Sequence, residues 1–417
     1  MVPAEKGALP APSPTGYSGA NVSEGAVKKW ILAGAAVVVI VVFGLVLRFF
    51  MVAPGRIEQG QNRIVPVALN VTPAAQALHA TLDVADMHAD SLLWKRDLLE
   101  RSDRGHVDVP RLVEGHYALQ VFSSVTKSPK GQNYKANSAD SDTITSLAIV
   151  DLQPIRTWNS LLQRSLWHAE KLRDYAARSG GRLRLITTPV EVDRLLADRK
   201  GGASVVGGML SIEGLQDIEG RIENLDVLYA AGFRMAGLAH FFDNDVAGSM
   251  HGMQKGGLTQ LGRQVVQRME GLGMIVDLAH SSHTTVAEVL AIAKRPVVSS
   301  HGGVQATCKV NRNLSDDEIK GIAKTGGVIG IGYWEGAICS TKPEAAARAI
   351  AYVRDLVGID HVGLGSDFDG STTTGFDASQ VAAITQALLS SGFSEEDIRK
   401  VMGGNVLRVI RAGLAPS

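Results

Sequence analysis

The chain has 417 residues, of which 45% are hydrophobic and 20% charged, the balance of a folded protein and not of a disordered one. Its 42 Lys and Arg equal its 42 Asp and Glu, so no net field favours nucleic acid or an acidic surface. Two cysteines, Cys308 and Cys339, are too few for a cysteine-rich metal site and either pair or stay free thiols.

Residues 1–27 are rich in Pro, Gly, Ser and Ala, lack any period, and read as a disordered tail. Residues 28–52 read as a transmembrane anchor. Lys28 and Lys29 precede Ile31–Leu47, a run of 17 residues without a charge. At about 1.5 Å per residue this run nearly crosses a hydrocarbon core, and a snorkelling Arg48 lets Phe49–Val52 extend it. The run is longer than a cleavable signal needs, and no small-x-small site follows. Lys6, Lys28 and Lys29 before the span nearly balance Arg48, Arg56 and Arg63 after it. The lysine pair abutting the span favours a cytoplasmic N-terminus, with the rest of the chain periplasmic or extracellular. Residues 53–77 read as a linker.

Residues 78–417 carry short apolar runs that end in polar or glycine-rich turns: Leu82–His88, Tyr117–Val125, Val205–Ile212, Phe233–His240, Met274–Ala279, Pro296–Ser300, Val328–Tyr333 and His361–Ser366. Helical period follows most of them, over Leu147–Arg178, Thr284–Lys294, Glu344–Val357 and, apart from Gly403-Gly404, Glu395–Ile410. Ser315-Asp316-Asp317-Glu318 fits a capping box that starts a further helix. Near-continuous apolar strands alternating with helices imply a covered parallel sheet. Eight such units fit an α/β protein of the (β/α)8 TIM-barrel type. A doubly wound sheet is the alternative, but the first strand lacks the glycine-rich turn of a dinucleotide site.

In such a barrel the reactive face lies at the C-terminal strand ends. Those ends carry His88 and Asp90, Glu213, His240, His280, His301 and Asp367. His88 and Asp90 are two apart on an extended chain and so share a face. Carboxylates and imidazoles without thiolates suit two divalent ions, zinc most readily, with manganese or iron as alternatives. A bridging carboxylate and a water activated near neutral pH would serve hydrolysis without a catalytic Ser or Cys.

Six segments in order, Asp86-Met87-His88-Ala89-Asp90, Ser211-Ile212-Glu213-Gly214, Asp277-Leu278-Ala279-His280-Ser281, Ser300-His301, Arg312-Asn313-Leu314-Ser315-Asp316-Asp317 and Gly365-Ser366-Asp367-Phe368-Asp369-Gly370, resemble the membrane dipeptidase (renal dipeptidase) family of zinc peptidases, family M19. The resemblance covers about residues 78–412 and implies a (β/α)8 barrel with two Zn2+ ions and a dipeptide substrate. It implies that His88 and Asp90 hold one zinc, His280 and His301 the other, and that Glu213 bridges them. His240 would steady the scissile carbonyl and Arg312 would clamp the substrate's C-terminal carboxylate. Asp367 would meet the free amino end and pass a proton to the leaving amine. The resemblance also implies a Cys308–Cys339 disulfide in an oxidising compartment, and a homodimer, which is frequent in that family.

The remaining polar residues near the strand ends read more plainly. Asp277 and Asp369 support the fold or a neighbouring ligand, Asp86 orients the second nitrogen of a ligand, and Trp94 packs. His251 and His283 read as solvated loop residues. A related metal amidohydrolase acting on N-acyl amino acids or other small amides, and a non-catalytic tethered binding protein, are the competing functions.

Overall fold

The computed structural model describes residues 1–2, 7–14 and 23–415, and part of the expected disordered tail, 1–27, lies outside the described residues. The chain divides into two compact units, Met1–Met51 and Val52–Ser417. The first holds most of the helix Glu24–Gln61, whose apolar stretch is long enough to cross a membrane and is buried nowhere against protein. The helix continues past Pro54, so residues 53–61, which composition suggests as linker, are helical. Arg63–Ile64 then form a short strand.

The second unit is a closed parallel barrel. Its strands are β1 (Val84–Ala89), β2 (Tyr117–Val125), β3 (Val206–Glu213), β4 (Phe233–Gly237), β5 (Ile275–Asp277), β6 (Val298–Ser299), β7 (Val328–Ile331) and β8 (Val362–Leu364). Each pairs in parallel with the next, and Leu364 opposite Asp86 closes the ring. The expected fold class is therefore present, with one strand at each apolar run. Several runs outlast their ladders: the strands stop at Gly237 and Asp277, although the Leu278 N–H still donates to the Val298 carbonyl at 2.8 Å. A three-residue strand, Leu183–Leu185, pairs with the foot of β3 and carries too short a pattern to read from sequence.

Alternation along β1 shows how the sequence splits its two faces. Ala85 and Met87 join an apolar cluster with Val406, Val409 and Ile410 of the last helix, Asn405–Gly413. Asp86 and His88 take the other face.

Two helical expectations change in detail. Leu147–Arg178 is not one helix but three, Thr143–Val150, Arg156–Asn159 and Leu161–Arg178. Pro154 cannot continue the first, and Ser160 caps the third by accepting the Gln163 N–H at 3.2 Å. Gly403-Gly404 does not interrupt the last segment, because Lys400–Gly404 widen into a π-turn between Glu395–Arg399 and Asn405–Gly413. The capping box of Ser315 and Glu318 opens Asp316–Lys324 as expected. Cys308 and Cys339 form a disulfide.

Gly365, just past β8, sits where backbone from another strand crosses its face. A Cβ there would lie 1.9 Å from the Ser300 carbonyl oxygen and 3.0 Å from the His301 Cα. Gly365→Ala should cost about 1–3 kcal/mol or more, read as a lowered Tm. Gly271→Ala, on a helix with nothing within 4 Å, should leave Tm unchanged or slightly raised.

Candidate active site

The strand ends deliver their polar residues to one place. His88 comes from β1 and Asp90 from the turn after it, and Glu213 ends β3. His240, His280, His301 and Asp367 follow β4, β5, β6 and β8. Glu213 lies at the centre. Its Oε1 is 3.0 Å from His280 Nε2, 3.2 Å from His301 Nε2 and 3.6 Å from His88 Nε2, and its Oε2 is 3.5 Å from His240 Nε2. His88 Nε2 also lies 3.4 Å from Asp90 Oδ1 and 3.9 Å from Asp367 Oδ1. All of these residues are buried.

The backbone gives up favourable geometry to aim some of them. His280, Asp367 and Asp369 have φ of 62°, 57° and 63°, left-handed values that cost non-glycine residues on the order of 1–3 kcal/mol each and cluster at functional sites.

The donor chemistry fits a divalent metal. His280 Nε2 and His301 Nε2 face each other at 2.9 Å, and His88 Nε2 and Asp90 Oδ1 are buried without any hydrogen-bond partner. Buried polar atoms left so are rare unless something binds them. Nitrogen and carboxylate oxygen converge in three overlapping groups: His88, Glu213 and His301; Glu213, His240 and His280; His88, Asp90 and Asp367.

Protonation tendencies point the same way. Burial pushes Glu213 well above the usual carboxylate range, with Asp90 adding to the effect. Burial likewise raises Asp367 to about 8. Burial holds His280 and His301 well below the usual imidazole range, reinforced by Arg312, and His240 down to about 3. Burial opposes charge on His88, yet the carboxylates of Asp90 and Glu213 outweigh it and raise the ring to about 10. Neutral rings at His240, His280 and His301, beside a His88 that its carboxylate neighbours draw toward the charged form, describe a site that attracts positive charge.

Supporting residues fix the rings. Ser300 Oγ donates to Asp277 Oδ2 at 2.5 Å and lies 2.8 Å from His301 Nδ1. With the hydroxyl proton committed to Asp277, Nδ1–H is the donor to Ser300 and Nε2 keeps its lone pair toward Glu213. Asp277 thus supports a candidate ligand, as expected. Asp86 does not act on a ring: its Oδ1 accepts the backbone N–H of His88 at 2.9 Å, and its Oδ2 accepts that of Ser366 at 3.0 Å.

A cavity of about 720 Å³ opens onto this cluster, lined among others by Asp90, Glu213, His240, His280, Arg312 and Asp367. Arg312 does not sit on a helix surface. It is buried in the loop before Asp316–Lys324, donates from Nη2 to the His301 carbonyl at 2.9 Å, and lies 5.6 Å over the Trp334 ring.

Several lining residues escape the sequence reading. Trp334 Nε1 donates to the Tyr134 hydroxyl at 3.0 Å, and Phe241 stacks on Tyr134 at 5.9 Å. Phe241 and Trp334 carry a sequence signal as aromatics just past β4 and β7; Tyr134 lies in a loop with no such marker. His251 is not solvated. It is buried, stacked on Phe241 at 4.5 Å, with Nδ1 3.0 Å from the Tyr134 carbonyl. His283 stays half in solvent beside Glu318, as expected, but it opens the helix His283–Ile292 and does not lie in a loop. Trp94 packs, with Nε1 donating to the Asp369 carbonyl at 2.7 Å.

Comparison with known proteins places this arrangement. The sequence pattern of the membrane dipeptidase family (peptidase family M19) matches residues 73–414. The dipeptidase aclJ of Aspergillus oryzae is 30% identical over 389 residues, 88% of this chain and 86% of its own. The dipeptidase tcpJ of Claviceps purpurea is 32% identical over 321 residues, 74% and 69% of the respective chains. Among solved structures, the probable dipeptidase PvdM of Pseudomonas aeruginosa superposes with a TM-score of 0.68 at 21% identity, covering 82% of this chain and 97% of that one. A metallopeptidase of Rhodobacter sphaeroides, liganded with a phosphinate mimic of L-Ala-D-Ala, superposes at 0.63 and 24% identity, over 80% and 99%. At such identities the structures establish the shared fold.

Asp277→Asn should keep the fold by circular dichroism but lower retained divalent metal, or activity, about 10–100-fold, because the Ser300 proton would no longer be committed and His301 could turn.

Proposed function

The chain belongs to the membrane dipeptidase family, peptidase family M19, and from that premise we propose that it is a membrane-anchored di-zinc dipeptidase. Family membership makes it a metal-dependent hydrolase of dipeptides; the zinc pair, the residue roles and the anchoring are our reading. The observation that carries it is the Glu213 carboxylate within 3.0–3.6 Å of three imidazole nitrogens on one oxygen. In this reading His88 and Asp90 would hold one ion and His280 and His301 the other, with Glu213 shared between them. Bound zinc supplies Lewis acidity and activates water near neutral pH.

The other side chains bind and orient the dipeptide. Arg312, its guanidinium fixed by the His301 carbonyl and Trp334, offers a planar fork for the substrate's terminal carboxylate. His240, held neutral by burial, directs Nε2 into the cleft and steadies the scissile carbonyl oxygen as charge develops there. Asp367 meets the amino end as a carboxylate, and the same group takes the proton the attacking water gives up and delivers it to the leaving nitrogen. Tyr134, Phe241 and Trp334 wall the cleft, which suits a short substrate with both ends engaged.

For the anchor, the supports are the apolar helix Glu24–Gln61 with Lys28 and Lys29 at its start, and the Cys308–Cys339 disulfide. Together they favour a single span with a cytoplasmic N-terminus and a periplasmic or extracellular barrel.

Chelation should abolish hydrolysis of L-L and L-D dipeptides and added zinc should restore it. Glu213→Gln should lower turnover at least about a hundredfold with the fold intact; turnover at the parental rate would overturn the metal assignment. N-acetylation of a good substrate should remove activity, since the acetyl group abolishes the charge that Asp367 meets, whereas an N-acyl amidohydrolase would prefer the acetylated form.

A further inference from the structure

The matched residues begin at 73, yet part of the cleft comes from before them. Asn62 Oδ1 accepts the Ser371 N–H at 2.9 Å, and Arg63 N and Val65 N donate to the Thr372 and Thr374 carbonyls at 3.2 and 2.9 Å. Arg63–Ile64 thereby pair in parallel with Thr373–Thr374, directly downstream of the Asp367 loop. Arg63 and Val65 line the same cavity as Glu213 and Asp367.

Above this strand, the helix Glu24–Gln61 ends against two arginines. Glu58, 1% exposed, accepts Arg96 Nε at 2.5 Å and Arg104 Nε at 2.7 Å. Gly55, one turn earlier, leaves room for Arg104, whose Cζ would be 3.3 Å from a Cβ there. Arg96 turns its other edge to Asp369 and to the Val107 carbonyl. Asp369 also accepts from Ser91 Oγ and from the His106 N–H, both at 2.6 Å. Ser91 follows Asp90 in the chain, and Asp369 stands two residues from Asp367. One buried chain of charged contacts, Glu58–Arg96–Asp369, therefore ends on the two turns that present Asp90 and Asp367.

We propose that the segment Glu58–Val65 is a working part of the active site. Glu58 is a positioning residue that sets Asp90 and Asp367 through Arg96 and Asp369, while Arg63 and Val65 supply the cleft wall beside Asp367. Arg96 needs both acids. Without Glu58 its Nε–H loses its acceptor, the guanidinium keeps only Asp369 and the Val107 carbonyl, and its hold on the Asp369 turn shifts. Removing Glu58 therefore acts on catalysis and metal retention and not merely on stability. The kinetic part of the inference rests on the dipeptidase reading and the zinc-retention part on the proposed metal site.

The test uses the full-length chain in detergent or lipid, with Glu58→Gln, Glu58→Ala and Arg63→Ala beside the parent. For both Glu58 variants, kcat per folded molecule should fall about 10–100-fold with KM within about threefold. Bound zinc should also be lost to a competing chelator faster than from the parent. Glu58→Gln, which keeps an acceptor oxygen, should lie between the parent and Glu58→Ala, and it carries the test if Glu58→Ala fails to fold. Arg63→Ala should raise KM more than it lowers kcat. Glu58 variants with a lowered Tm but parental kcat and parental zinc retention would overturn the proposal. A parent that hydrolyses no dipeptide would count against the functional reading instead, and zinc retention would still decide the role of Glu58.

Discussion

Glu213 is a carboxylate out of water with imidazole nitrogens on every side and two further carboxylates within reach of the same His88 ring. Protein groups alone cannot satisfy this arrangement. His88 Nε2 and Asp90 Oδ1 have no partner, and two ring nitrogens meet lone pair to lone pair or around a single proton. Burying such groups unpaired costs several kcal/mol, and the left-handed backbone of His280 and Asp367 adds to it. Positive charge at the centre offsets all of these penalties together. The barrel supplies the rigidity that keeps the donors from relaxing apart, since each stands at the end of a strand paired on both sides.

The fold was legible because its signal is redundant. Each barrel strand is an apolar run with a polar stop, and eight such runs separated by helices, without the glycine-rich turn of a doubly wound sheet, favour a closed barrel. The candidate ligands were legible for the same reason: the chemistry sits at strand ends, where position along the run predicts position in space. His88 and Asp90 follow from the period of two, and Glu213 from its place as the last residue of β3.

What escaped depends on long-range contact or on loops. Nothing local distinguishes His251, which is buried against Phe241, from a solvated histidine such as His283. Arg312 is expected at the cleft and lines it, but what holds it there, the His301 carbonyl and the Trp334 ring, has no local mark in the sequence. The break in the expected helix Leu147–Arg178 was marked by Pro154, but helical period on both sides concealed it. Asp86, expected to serve a ring, instead pins the backbone of His88 and Ser366, so it acts on a candidate ligand by fixing where the chain leaves the sheet.

The linker expectation shows most clearly how a local reading falls short. Pro54-Gly55 and the polar residues after them carry the composition of a flexible joint, and propensity alone would end the helix there. The helix survives because Glu58 meets Arg96 and Arg104, partners about 40 residues away whose own positions depend on the barrel. A carboxylate 1% exposed is a poor choice for a joint that needs only reach, since its desolvation must be offset by fixed cations. That offset ties the end of the helix to Asp369, and Asp369 to the turns that carry Asp90 and Asp367. The approach to the barrel and the floor of its cleft are thus held by one set of charges, and a change in either is felt by the other.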